Sequence, residues 1–131
     1  MVRWSILPAD WIPNSCIINI YDEDDYIPTH IDHHDFVRSF CIVSFMSRSN
    51  TLFENEIDVI GPGEFTGSVE IPLPVGSVLV LKGNGGDITK HCISGVQHRK
   101  VSVTFRRMDD NKIPYGFRSD SELEELLPFE L

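Results

Sequence analysis

The feature that most constrains the fold of this chain is a strict alternation of polar and apolar residues between positions 100 and 106. The apolar positions are Val101, Val103 and Phe105, and the polar positions are Lys100, Ser102, Thr104 and Arg106. Successive side chains of a β-strand point to opposite faces, so this period of two predicts a strand over residues 100–108 with one apolar face and one polar face.

Other short runs of strand-forming residues recur along the chain, at 16–21, 40–45 and 77–81. Gly61-Pro62-Gly63 and Pro72-Leu73-Pro74 predict turns or edge strands between them. The N-terminal residues give no clear signal, and a helix is predicted only as a short segment over 121–127. Many short strands with regular turns indicate an all-β barrel or a double-sheet jelly roll.

The composition narrows the class of protein. The chain has 131 residues, of which 41% are hydrophobic, which suits one folded domain. Its net charge is −9, and residues 119–131 hold five acids and no Lys or Arg, so we expect an acidic C-terminal tail after a domain of residues 1–118. Seven of the eleven basic residues lie between Lys90 and Arg118; this stretch either meets a polyanion or is a solvated strand edge.

The apolar runs, the first residues and the cysteines predict the cellular compartment of the protein. No apolar run approaches the roughly 18 residues of a membrane span, and the first residues have no signal-peptide core, so we expect neither membrane insertion nor secretion. Three cysteines without CxxC spacing fit a reducing compartment, which predicts a cytoplasmic or nuclear protein.

His30 and Asp32 are the first candidate metal ligands in the sequence. Two residues apart, they share one face of an extended segment and supply two of the three ligands of a 2-His-1-carboxylate site, which suits Fe(II) and leaves coordination positions open. The same pair also occurs by chance on acidic surfaces. His33 and His34 beside it are either further ligands or solvated side chains.

A third ligand and an anion site are candidates further along the chain. His91 follows Asp32 by fifty-nine residues and lies beyond the predicted strand at 77–81. Lys100 and Arg106 share one face of the predicted strand at 100–108, and an inward polar face is costly unless an anionic ligand such as a dicarboxylate occupies it. The alternative is an edge strand with a polar outer face.

These residues, in this order, resemble the AlkB-type Fe(II)/2-oxoglutarate dioxygenases. The resemblance is carried by Asn19-Ile20-Tyr21, His30-Ile31-Asp32, His91 and the stretch from Lys100 to Arg106. Three further segments are similar to the plant branch of this family, which includes RNA N6-methyladenosine demethylases. They are residues 28–36, residues 72–81 and Gly83-Asn84-Gly85. The resemblance extends from about residue 12 to about residue 117.

The resemblance implies a double-stranded β-helix, or jelly roll, with little helix. It implies that His30, Asp32 and His91 bind Fe(II), with no catalytic residue beyond these ligands. The co-substrate 2-oxoglutarate would contact Asn19, Tyr21, Lys100 and Arg106. The implied activity is oxidative demethylation of N-methylated bases, first of all N6-methyladenosine in RNA such as mRNA, with single-stranded DNA as a second candidate substrate. The resemblance does not predict the oligomeric state.

The chain departs from the family at Lys100, where the family has an arginine paired with the far carboxylate of 2-oxoglutarate. Lysine keeps the charge but lacks the planar fork of arginine. Candidates for stacking a substrate base are Trp4, Trp11, Tyr26 and Phe36, each of which also suits an ordinary core or surface role.

Two alternatives therefore stay open. One is a truncated AlkB-like binding or regulatory module with weak or no turnover, and the other is a cupin-like metal protein without oxygenase activity.

Two further features are given structural roles. Gly83-Asn84-Gly85-Gly86 is interpreted as a tight turn rather than a phosphate loop, and Cys92 as a small buried side chain.

Overall fold

The structure is a computed structural model that describes residues 1–8, 10–54, 57–67, 69–83, 86, 88–125 and 127–130. Its strands are β1 (Ser15–Tyr21), β2 (Ile27–His30), β3 (Phe36–Phe45), β4 (Ser49–Glu54), β5 (Asp58–Gly61), β6 (Glu64–Thr66), β7 (Val69–Leu73), β8 (Val78–Leu81), β9 (Lys90–Ile93) and β10 (Lys100–Met108). Short 3-10 turns span Val2–Trp4 and Asp110–Lys112, and one helical turn, α1, spans Ser121–Glu124. The chain is all-β with little helix, as predicted.

Eight of these strands form two antiparallel four-stranded sheets. The major sheet has the order β1-β10-β3-β8, and the minor sheet has the order β2-β9-β4-β7. Apart from the β5-β6 hairpin, which forms a small sheet of its own, the chain passes between the two large sheets repeatedly. This topology is the double-stranded β-helix, or jelly roll, that the resemblance implied.

The register of the major sheet places the polar row of β10 inside. Ser102 pairs with Asn19 of β1 and with Ser44 of β3, and Lys100 pairs with Tyr21. Lys100 and Ser102 are fully buried between the sheets. Phe105, from the other face of β10, packs on the outer side of the major sheet. The alternation predicted from the sequence is therefore confirmed.

The hydrophobic core has an inner and an outer part. Phe40, Ile42, Phe53 and Leu81 pack between the sheets. On the outer side of the major sheet, the N-terminal segment covers Cys41 with the buried side chains of Val2, Leu7 and Trp11. Trp11, a candidate for base stacking on sequence grounds, is therefore a core residue, because its ring is needed to cover the sheet.

The predicted edge positions and the C-terminal helix are present with small changes. Pro72 lies in β7, at the edge of the minor sheet, where a missing N–H is tolerated. The helix predicted over 121–127 is shorter in the structure and spans Ser121–Glu124. No helix among the described residues is long and apolar enough to cross a membrane.

The acidic tail is exposed at Asp120, Glu122, Glu125 and Glu130 and is anchored near its end. The backbone N–H of Phe129 donates to the carbonyl of Arg3 at 2.8 Å. The Phe129 ring meets Trp4 edge-on, with ring centroids 5.0 Å apart. Trp4, another stacking candidate, is thus a contact between the N-terminal segment and the tail.

The outer core gives the first prediction. Leu7→Ala should lower the free energy of unfolding by about 2–4 kcal/mol, because the lost side chain leaves a cavity over the major sheet. Its neighbour Ile6 is 43% exposed, so Ile6→Ala should cost less than about 1 kcal/mol. Urea unfolding followed by circular dichroism measures both. Equal losses for the two variants would show that the N-terminal segment does not cover the sheet in solution.

Candidate metal centre and anion pocket

Two strands of the minor sheet bring the three candidate metal ligands together. His30 ends β2 and is the direct cross-strand neighbour of His91 in β9, and Asp32 follows in the loop after β2. His30 Nε2 lies 3.6 Å from Asp32 Oδ1, and His91 Nε2 lies 3.9 Å from Asp32 Oδ2. One ligand atom from each residue lies within 4.8 Å of the others, so a single ion could contact all three.

Hydrogen bonding and burial prepare these groups as ligands. The Nδ1–H of His30 donates to the carbonyl of Pro28 at 2.9 Å, which leaves Nε2 directed at Asp32. Burial lowers the pKa of His91 to about 4, so this imidazole is neutral at pH 7. Burial raises the pKa of Asp32, but the nearby side chains of His30, His91 and Arg106 outweigh burial and hold this pKa below its usual range. One carboxylate and two imidazoles fit a divalent transition metal.

The loop that carries Asp32 is braced by Arg38. The guanidinium donates to the Asp32 carbonyl at 3.1 Å and lies 2.7 Å from His34 Nδ1. His33 is largely exposed and lies 3.3 Å from the Asp35 carboxylate. The structure therefore brings neither His33 nor His34 into the ligand cluster.

A cavity of about 210 Å³ extends from this cluster between the two sheets. The structure brings all seven predicted site residues to its wall: Asn19, Tyr21, His30, Asp32, His91, Lys100 and Arg106. Among the described lining residues, Asp32 is the acidic one, so the cavity carries more positive than negative charge. It thus offers a metal-ligand cluster together with a site for an anion.

Lys100 is the deepest charged group of the cavity wall. Its side chain is fully buried, and its ammonium donates to Ser44 Oγ at 3.0 Å. Burial lowers the pKa of Lys100 from its ordinary value of 10.5, because the charged form loses hydration. Tyr21 lies next to it in the register, with its hydroxyl 3.5 Å from Ser102 Oγ.

Arg106 lies at the same cavity, beside Asp32. Burial lowers the pKa of Arg106, and the charge of Asp32 opposes this shift. The register of β10 against β3 shifts between Phe105 and Arg107, and the extra residues lie in β3, so Arg106 faces an irregular stretch of that strand while it stays in register with Ser15 of β1. Its guanidinium carbon lies 3.8 Å above the centroid of the Phe36 ring. Phe36, a stacking candidate on sequence grounds, is therefore covered by Arg106.

Three other basic residues of the 90–118 stretch pair with exposed carboxylates, which supports the interpretation of a solvated edge. Arg99 lies 3.6 Å from the carboxylate of Asp22, Arg107 pairs with Asp110, and Lys112 pairs with Asp35. Tyr26, the last stacking candidate, is 42% exposed and meets Phe65 edge-on.

Two polar residues of the cavity wall were missed by the sequence analysis. Ser44 and Thr51 are both buried and line the cavity, yet they lie in β3 and β4 among strand-forming residues. A lone hydroxyl at an inward position of an apolar strand is the signal that could have found them.

Other predictions concern residues near the site. Cys92 is fully buried, as expected. Gly86 N–H donates to the Gly83 carbonyl at 2.9 Å, which fits a turn, while Asn84 and Gly85 lie outside the described residues. A wider groove of about 490 Å³ between residues 10–16 and 117–120 contains none of the predicted site residues.

Fold and cavity together define a jelly-roll protein with a His-x-Asp…His cluster beside an anion pocket. No protein-family model matches the chain. It is 51% identical over all 131 residues to RNA demethylase ALKBH9B of Arabidopsis thaliana, covering 26% of that protein. It is 25% identical to RNA demethylase ALKBH10B of Arabidopsis thaliana, over 99% of the chain and 24% of that protein. The chain is thus similar to two plant RNA demethylases, in line with the AlkB-type resemblance of its sequence, and spans about a quarter of their length.

A solved structure, the crystal structure of an RmlC-like cupin protein from Desulfovibrio desulfuricans, shares 21% sequence identity with the chain. It superposes with a TM-score of 0.45 and covers 70% of this chain and 69% of its own.

The ligand cluster gives the second prediction. Asp32→Asn should weaken Mn(II) binding by at least about 100-fold, because it removes the negative ligand while keeping the side-chain shape. His33→Ala is the matched control and should leave the affinity unchanged, because His33 lies outside the cluster. Calorimetric titration with Mn(II) measures both. An unchanged affinity in the Asp32 variant would show that the ion binds elsewhere.

Proposed function

We propose that this chain is the core of an Fe(II)- and 2-oxoglutarate-dependent demethylase of N-methylated bases in RNA, with N6-methyladenosine as the first candidate. The observation that carries the proposal is the cavity that joins a His-Asp-His cluster to a buried lysine. The names of the two plant relatives, both RNA demethylases, support RNA as the substrate. Residues 1–118 would form this core, followed by the acidic tail of residues 119–131.

The residues of the cluster would hold Fe(II) at the end of the cavity. With 2-oxoglutarate and O2, the bound iron supplies the oxidising power that converts an N-methyl group to a hydroxymethyl group, which leaves as formaldehyde. Asp32 would contribute the negative charge, and neutral His91 would offer a lone pair without first losing a proton at pH 7. Arg38 would keep the Asp32 loop in place through its hydrogen bond to the backbone.

The polar row of the major sheet would hold 2-oxoglutarate. Lys100 would pair with the far carboxylate, in the place where the family has an arginine, and Asn19 and Tyr21 would donate hydrogen bonds from the neighbouring strand. Arg106, which lies beside Asp32, would face the carboxylate nearer the iron. Phe36 would keep the guanidinium in that orientation by stacking under it.

The iron and the co-substrate are tested by spectroscopy. Anaerobic addition of Fe(II) and 2-oxoglutarate should produce the visible charge-transfer band of the chelate. Admission of O2 with an RNA oligonucleotide carrying N6-methyladenosine should then yield succinate and formaldehyde in equal amounts. A band without formaldehyde would favour the binding or regulatory module, and the absence of a band would contradict the proposal.

The buried lysine gives a further prediction. Lys100→Met keeps an unbranched side chain, shorter by one atom, but removes its charge, so the affinity for 2-oxoglutarate should fall at least about tenfold. Lys90→Met, at an exposed position of β9, is the matched control and should bind as the unaltered protein does. Calorimetric titration in the presence of Mn(II) compares the three proteins.

The same titration should depend on pH. Burial lowers the pKa of Lys100 in the free pocket, and only the ammonium form pairs with a carboxylate. The affinity should therefore be highest below that pKa and decline as the pH rises through it. The Lys100→Met variant should lose this decline, and a decline that persists in the variant would assign it to another group.

A further inference from the structure

Thr51 is a buried hydroxyl on the cavity wall. Its side chain is 1% exposed, and its Oγ1 has no hydrogen-bond partner among the described residues. Leaving a buried hydroxyl unsatisfied costs free energy, and native proteins rarely do so without a reason. Thr51 lines the same cavity as Lys100, so a ligand in this cavity is within reach of both.

The backbone holds Thr51 firmly. It lies in β4, an interior strand of the minor sheet, and is paired with Ile71 of β7 on one side and Ile93 of β9 on the other. Lys100 and Ser44 come from the opposite, major sheet. The cavity therefore presents an ammonium from one sheet and a hydroxyl from the other.

The hydrogen-bond donors of Lys100 are fewer than the acceptor positions of a carboxylate ligand. An ammonium has three N–H donors, and one of them is directed at Ser44 Oγ. An ionised carboxylate offers two oxygen atoms with about four acceptor positions. Arginine binds both oxygens with its planar fork, whereas lysine acts as a point charge and does not impose that geometry. Two donors of the lysine therefore remain for about four acceptor positions, so the carboxylate has room for a further donor from another residue.

We infer that Thr51 is the second donor for the far carboxylate of 2-oxoglutarate. Its hydroxyl donates to one oxygen, the Lys100 ammonium pairs with the other, and Ser44 keeps the ammonium in position. The carboxylate then links the two sheets and satisfies the buried hydroxyl. This inference rests on the proposed function, because it takes 2-oxoglutarate as the ligand.

The test compares four proteins by calorimetric titration of 2-oxoglutarate in the presence of Mn(II). Thr51→Val, which has nearly the same shape but no hydroxyl, should bind about tenfold more weakly, and Thr51→Ser should bind within about twofold of the unaltered protein. Thr66→Val, at an exposed position of β6, is the matched control and should bind normally. The affinity for Mn(II) alone should be the same in all four, because Thr51 is outside the ligand cluster.

A second ligand separates the carboxylate contact from a general change of the cavity. 2-Oxobutanoate keeps the 2-oxo acid group that chelates the metal but has no far carboxylate. The Thr51→Val substitution should therefore leave its affinity unchanged. Equal losses for both ligands, or no loss for 2-oxoglutarate, would overturn the role of Thr51. Failure of the unaltered protein to bind 2-oxoglutarate would instead overturn the proposed function, and the inference with it.

Discussion

The chemistry of the interior depends on the register in which β10 pairs with β1 and β3. Side chains alternate between the faces of a sheet, so a shift of one residue would turn Lys100 and Ser102 outward and bring Val101 and Val103 into the cavity. The same register aligns Asn19 and Tyr21 with the polar row of β10. The N-terminal segment reinforces it from outside, because its apolar side chains cover only the opposite face. Fold and pocket are thus determined by one set of backbone hydrogen bonds.

Much of this could be predicted from the sequence because its signals were local. The alternation in β10 predicted which residues face inward, and the two-residue spacing of His30 and Asp32 predicted that they share a face. Their meeting with His91 depends on which strands become neighbours, and only the ordered resemblance to a family supplied that. Spacing alone left the surface pair and the polar edge strand as open alternatives.

The remaining features depend on tertiary structure and had no local signal. The irregularity of β3 opposite Arg106 and the stacking of Arg106 on Phe36 depend on how β10 and β3 pair, which residue types do not predict. The sequence offered Trp11 as a candidate for base stacking while favouring a core or surface role, and only the outer face of the sheet shows which apolar surface it covers. Thr51 has an ordinary strand sequence around it, and its significance appears only when its hydroxyl is found buried and unpaired.

The pairing of β2 with β9 would couple metal binding to the stability of the minor sheet. The strand β2 is at the edge of the minor sheet, and its register against β9 shifts between Ile27 and His30. An ion held by His30 and His91 would connect β2 to β9 at the end where their register shifts. Because such an ion binds the folded form and not the unfolded chain, it would stabilise the folded protein. Metal uptake would then be coupled to the ordering of the cavity mouth. The ion would then stabilise the pairing of β2 with β9 at the end where its register shifts.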